Sequence, residues 1–180
     1  MGRALEGDRA ALHRIASEHE GRVRRLLTRL LGPRDDLDDL VQTVFLELCR
    51  SLHRFRGDSA LSTFIGGIAV TVARRAMRPS PWFRRRAELP EEPVDPRSGP
   101  DARSLAAERL RRTRRALAKL SAKKRIAFLL WALDGSDVEE VAALMGASVS
   151  ATRSRIYYAQ KELRRLAKTD PYLREMLEEP

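Results

Sequence analysis

The chain has 180 residues, 43% of them hydrophobic, which is enough apolar material for a packed core and argues against global disorder. Its formal charge of +10 favours phosphate-bearing partners. No apolar run approaches the roughly 20 residues of a membrane-spanning helix. The opening residues, MGRALEGDRAAL, contain neither a signal-peptide core nor the serine or threonine of a myristoylation pattern. A cytoplasmic protein without membrane insertion is expected, and a lone cysteine, Cys49, suits a reducing compartment.

Strand signals are nearly absent, while helical periodicity recurs along the chain. Leu12, Ile15, His19, Val23, Leu26 and Leu30 mark a first helix, stopped at Gly32-Pro33. A second starts at Asp35, Asp36, Asp38 and Asp39, whose charges suit a helix N-terminus. Its stripe is Leu37, Leu40, Val41, Val44, Phe45, Leu48 and Leu52, with Cys49 on the apolar flank as a packing residue. The segment FRGDSA breaks this helix. Ser59 is positioned to cap a third, which carries Leu61, Phe64, Ile65, Ile68, Val72 and Ala76.

From Pro79 to Pro100 the chain is proline-rich and without sustained period, as a linker would be. Helicity resumes with Ala106, Leu110, Thr113, Leu117 and Leu120 on one face, and Ser121 can cap the helix after it. The fold expected is all-α. Two small helical domains occupy residues 1–78 and 105–170, joined by a proline-rich linker over 79–104 and followed by an acidic tail over 171–180.

The run VEEVAALMGASVSATRSRI reads as a helix, a tight turn at Gly146, and a second helix capped by Ser148. Val149, Thr152, Ile156, Ala159, Leu163 and Leu166 form the apolar stripe of that second helix. Ser150, Arg153, Ser154, Tyr157, Lys161 and Arg164 fall on its polar side. The pattern fits a helix-turn-helix, whose second helix enters the DNA major groove, or a plain αα-hairpin with a solvated face. The cationic face favours the first. Arg153 and Arg155 then either read guanine through paired donors or clamp phosphate.

On two motifs the chain resembles bacterial sigma factors of the small extracytoplasmic-function (ECF) type. DDLVQTVFLELCRSLHRFRGDSALSTF (38–64) is similar to the family's region two, and the stretch from LAKLSAKKRI to YYAQKELR is similar to its region four. The resemblance implies a promoter-specificity subunit that works with RNA polymerase core and promoter DNA, is held by an anti-sigma factor, and has no catalytic residue or cofactor of its own. Asp39 and Gln42 fall on the DLVQ motif, which implies docking to core polymerase. Arg54, Arg56, Gly57, Asp58, Ser59, Thr63 and Phe64 correspond to the part that holds an unstacked base of the −10 element. Ser150, Arg153, Ser154, Arg155, Tyr157, Lys161 and Arg164 correspond to the helix that meets the −35 duplex.

Two departures from the family matter. Gly66-Gly67 replaces an aromatic and a cation, and two glycines inside a helix cost about 1 kcal/mol each relative to alanine. Either DNA opening relies on other residues or a partner approaches the backbone there; an altered opening surface is the expectation. Thr43 stands where a glutamate usually follows DLVQ, which weakens that contact but not the docking. His13, His19 and His53 are scattered without ligand spacing, so no metal is assigned. A stand-alone helix-turn-helix regulator is the rival reading, and a general nucleic-acid packaging protein a third.

Overall fold

The structure is a computed structural model that describes residues 9–77, 100–170 and 173–174. Among these residues are seven α-helices: α1 (Arg9–Leu31), α2 (Leu37–Ser51), α3 (Leu61–Ala76), α4 (Pro100–Lys119), α5 (Ala122–Asp134), α6 (Val138–Met145) and α7 (Val149–Ala167). A 3-10 turn, Leu52–Arg54, extends α2. The expected linker residues 79–99, including Trp82 and the acidic Glu88, Glu91, Glu92 and Asp95, lie outside the described residues. So do most of the tail and the first eight residues. Helix α4 starts at Pro100, inside the segment 79–104 assigned to the linker. Proline is well suited to a first helical turn, where its missing N–H has no intrahelical partner to lose.

Helices α1, α2 and α3 pack on one another pairwise. On α1 the buried stripe is Ala11, Ile15, Val23, Leu27 and Leu30. Leu27 is fully enclosed while Leu26 is half-buried, because the step from Val23 to Leu27 keeps closer to the axis of the packed face than the step to Leu26. The stripe of α2 runs through Val41, Val44 and Leu48 into Leu52. Cys49 is exposed rather than packed, since its neighbour Leu48 takes the core direction and one residue on is about 100° around the helix.

Helix α3 is buried more widely than a single stripe would give: Ile65, Gly66, Ala69, Val70, Val72 and Ala73 are all enclosed. It meets α1 and α2 on one side and α5 and α6 on the other, so its small residues form a second buried face. Its N-cap is Ala60 and makes no side-chain cap bond; Ser59 sits one residue too early and stays exposed. The amides of Thr63 and Phe64 donate instead to the Ala60 carbonyl.

The C-terminal helices contribute Ile126, Ala127, Leu129, Leu130, Val141 and Ile156 to the same apolar cluster as α1–α3. A second cluster holds Ala116, Leu120, Ala159, Leu163, Ala167 and Leu173, binding α4 to α7 and seating the start of the tail. Among the described side chains of α4, Ala116 is buried, as is Leu120 just beyond its end, with Leu117 only half-buried beside both clusters. Across these helices Arg112 reaches Asp170 at 3.4 Å, and Lys124 of α5 pairs with Glu162 of α7.

Candidate nucleic-acid interface

Local sequence chemistry builds the turn between α6 and α7. Asp137 caps α6, its carboxylate accepting from the Glu140 amide at 2.7 Å. Gly146 ends the helix at φ +55°, a left-handed conformation that an L side chain resists. The Ala147 amide donates to the Ala142 carbonyl and the Gly146 amide to Ala143, the paired bonds of a Schellman stop. Ser148 then caps α7, its hydroxyl accepting from the Ala151 amide at 3.2 Å. Val141 and Ala142 are buried on α6, which packs on α3, α5 and α7.

Thr152 is fully buried on α7, and its hydroxyl donates back to the Ser148 carbonyl at 3.0 Å, leaving its methyl for the core. Ile156, Ala159 and Leu163 continue that face, and Ala167 extends it. Opposite lie Ser150, Arg153, Ser154, Tyr157, Lys161 and Arg164, all exposed; Arg155 is half-buried at the edge. Tyr157 is 58% exposed and meets the Tyr158 ring edge-on at 5.3 Å, while Lys124 lies 5.8 Å from the centre of the Tyr158 ring. The Arg153 guanidinium rests on Glu139 of α6 at 3.2 Å, both side chains largely in solvent. So exposed a pair is worth little and releases its arginine readily.

A second set of candidates gathers around the start of α3. Gly57 holds φ +81° with open space around it, so glycine is needed there for its backbone and not for room. Arg54, Arg56, Asp58 and Ser59 are exposed around this loop. Phe64 is half-buried and packs on Phe55 with ring centres 5.2 Å apart, while Thr63 lies half-buried on the adjoining turn. The loop therefore offers cations, hydroxyls and an aromatic platform together.

On α2, Asp39 and Gln42 are exposed one turn apart. Leu46 continues the same face and is 59% exposed, an apolar residue the amphipathic pattern did not single out. Its signal was present: Leu46 falls outside the stripe of Val41, Val44 and Leu48. Of the other acidic residues, Asp36 pairs with Arg34 and Asp38 with Arg24, whose pKa is raised chiefly by its hydrogen bond to Asp38. The Thr43 hydroxyl donates to the Asp39 carbonyl at 2.7 Å.

The two motifs match separate family descriptions: residues 15–86 match sigma-70 region 2, and residues 110–163 match sigma-70, region 4. The chain is 31% identical to the ECF RNA polymerase sigma-E factor of Escherichia coli strain K12, over 89% of this chain and 88% of the relative. It is equally similar to the sigma-E factor of Haemophilus influenzae, at 31% over 88% of each chain. Its fold resembles CnrH, solved in complex with the cytosolic domain of CnrY, with a TM-score of 0.61 and 24% identity over 94% of this chain and 95% of that one. It also resembles the sigma factor RpoE solved with the anti-sigma factor NepR from Bartonella quintana, with a TM-score of 0.59 and 22% identity over 88% of this chain and 97% of that one. The chain belongs to the sigma-70 family, as an ECF-type sigma factor: a promoter-recognition subunit of RNA polymerase. No helix among the described residues is long and apolar enough to cross a membrane.

Proposed function

We propose that this sigma factor reads its promoter through two surfaces and docks on core polymerase through a third, without catalysing a step itself. The −35 reader is the exposed side of α7. Arg153, Ser154 and Ser150, near the helix start, reach base edges, and Lys161 and Arg164, farther along, hold phosphate. Arg155 and Tyr157 flank them against the backbone. The −10 reader is the Gly57 loop with Thr63 and Phe64, where an unstacked base can lie against an aromatic ring while Arg54 and Arg56 meet the phosphates. Asp39, Gln42 and Leu46 form the docking face for core polymerase. The functional units are the segments 1–78 and 105–170, and the protein works in the cytoplasm, where its polymerase is. An anti-sigma factor is a further partner, as it is for the related RpoE.

The observation that carries this reading is the capped turn at Gly146 and Ser148, from which α7 emerges with its stripe buried and Arg153, Tyr157, Lys161 and Arg164 in solvent. Transcription or binding across a panel of −35 variants at two salt concentrations tests it. Arg153→Ala should lose about 1–3 kcal/mol at one position and relax discrimination there. Lys161→Ala should weaken all sequences alike and lower the slope of affinity against salt by about 1. Equal, sequence-independent losses for both would make Arg153 a phosphate anchor; no loss for either would leave the face as solvated surface.

A further inference from the structure

A cavity of about 340 Å³ lies where α1, the start of α3 and α6 meet. That volume falls among sites that enclose a small molecule. It cannot enclose a duplex, whose major groove alone is about 12 Å wide. Thr63 is the one lining residue shared with the −10 surface, and none belongs to the −35 or docking faces.

The wall on α1 is cationic. His19, Arg22, Arg25 and Arg29 follow one another at steps of three and four, so a single helix face presents them to the cavity. Like charges at these spacings destabilise a helix, which sets them against the fold unless they meet an anion. Among the described residues neither Arg22 nor Arg25 pairs with a carboxylate. Arg24, on the far side of the same helix, is held by both Glu20 and Asp38. Across from the cations stand three hydroxyls: Ser62 and Thr63 in the first turn of α3, and Ser136 just ahead of the Asp137 cap of α6. Leu26, Ile65, Ala143 and Leu144 supply apolar surface between them. Gly66 adds bare backbone, where a Cβ would stand 2.6 Å from Leu144 Cδ2.

Glu140 of α6 is the only carboxylate among the described lining residues. It decides the class of ligand. A bare phosphate or pyrophosphate would be drawn by the arginines and repelled by Glu140, with no hydroxyl to offer it. A ribonucleoside phosphate carries both parts, anionic oxygens for the cations and ribose hydroxyls that donate to a carboxylate. The deoxyribose of a DNA strand lacks the 2′-hydroxyl, so a promoter phosphate fits less well. We propose that this cavity binds a phosphorylated ribonucleoside. Its phosphates lie against Arg22 and Arg25, with the Ser62 and Ser136 hydroxyls donating to the remaining oxygens. Its ribose donates to Glu140, and its base covers the apolar surface. The site stands on the cavity and its lining, whether or not the −10 and −35 assignments hold.

Calorimetric titration of the full-length chain with ADP at physiological salt tests the site. One ADP should bind per chain, about tenfold more tightly than 2′-deoxy-ADP or pyrophosphate, because each of these lacks a donor for Glu140. Arg22→Gln with Arg25→Gln should weaken ADP by about tenfold or more. Arg50→Gln with Lys119→Gln removes the same charge from exposed positions outside the cavity and should leave ADP binding nearly unchanged. Glu140→Ala should erase the preference for ADP over 2′-deoxy-ADP. No binding at millimolar ADP, or equal losses in the two double variants, would overturn the site and leave only the attraction of a basic chain for anions. Pyrophosphate binding as tightly as ADP would overturn the ribonucleoside. If the Arg22 and Arg25 variant misfolds, amide shifts in the unaltered chain on adding ADP decide the matter. Shifts centred on Ser62, Ser136 and Glu140 support the cavity, and shifts confined to the cationic side of α7 overturn it.

Discussion

Ser148 and Ser121 both occupy N-cap positions, but only Ser148 makes a cap bond to a free amide of its helix. Ser148→Ala should therefore cost about 1 kcal/mol in denaturant unfolding, and Ser121→Ala no more than a few tenths. Reversal of that order would show that the cap geometry differs in solution. Glu108 offers a pH-dependent counterpart. Its carboxylate is held below its ordinary value of 4.5 mainly by the hydrogen bond from Arg112, then by that from Arg111. A lowered folded-state pKa stabilises the fold above the unfolded value, and that contribution is lost as pH falls through the folded one. A Glu108→Gln variant should thus show a flatter decline of stability below pH 4.5 than the parent, as read by acid titration of unfolding midpoints. Glu139 bears on the proposed −35 contact: its exposed pair with Arg153 must be given up before that arginine can reach DNA, so Glu139→Ala should strengthen duplex binding by about fivefold at most.

Helix α2 carries core-facing and solvent-facing functions on separate sides. Asp39→Arg should weaken binding to core polymerase while leaving far-UV helicity unchanged, because Val41, Val44 and Leu48 hold the other side. Unchanged affinity would remove Asp39 from the docking face. In α7, Leu163 is almost fully enclosed in the cluster with Ala116, Leu120 and Ala159. Leu163→Ala should cost about 2–5 kcal/mol, far more than any substitution on the opposite face. The helices themselves were legible because amphipathic period and capping chemistry act within a few residues: the stripe of α2, the Gly146 stop and the Ser148 cap are all local facts. What eluded the sequence depended on neighbours distant in the chain. Whether Ser59 or Ala60 caps α3 is set by how the Gly57 loop enters the helix. That Gly66 is buried depends on α6 covering a second side of α3.

At the scale of the molecule, two helical units matched to separate sigma regions are joined in one apolar cluster, a relation that no motif in either unit encodes. Gly66-Gly67 was visible as a departure from the family. That Leu144 approaches its backbone was not visible, because Leu144 lies almost eighty residues away. The candidate residues fared differently by type. Those on α7 were separable from the core by period alone, and so was Leu46, which lies outside the stripe of α2 but was passed over because a single exposed leucine is common on a helix surface. The net charge of +10 is shared by sigma factors, stand-alone regulators and packaging proteins alike, so it cannot distinguish them.

The central claim is that this chain confers promoter choice on RNA polymerase, and run-off transcription with core polymerase and a promoter library tests it most directly. With core polymerase free of other sigma subunits, the full-length chain should direct transcripts from a restricted set of templates that share two upstream elements at fixed spacing. Core polymerase alone should give none of them. A chain that binds particular duplexes without core, yet leaves core polymerase unable to initiate on any template, would contradict the account and establish a stand-alone regulator in its place.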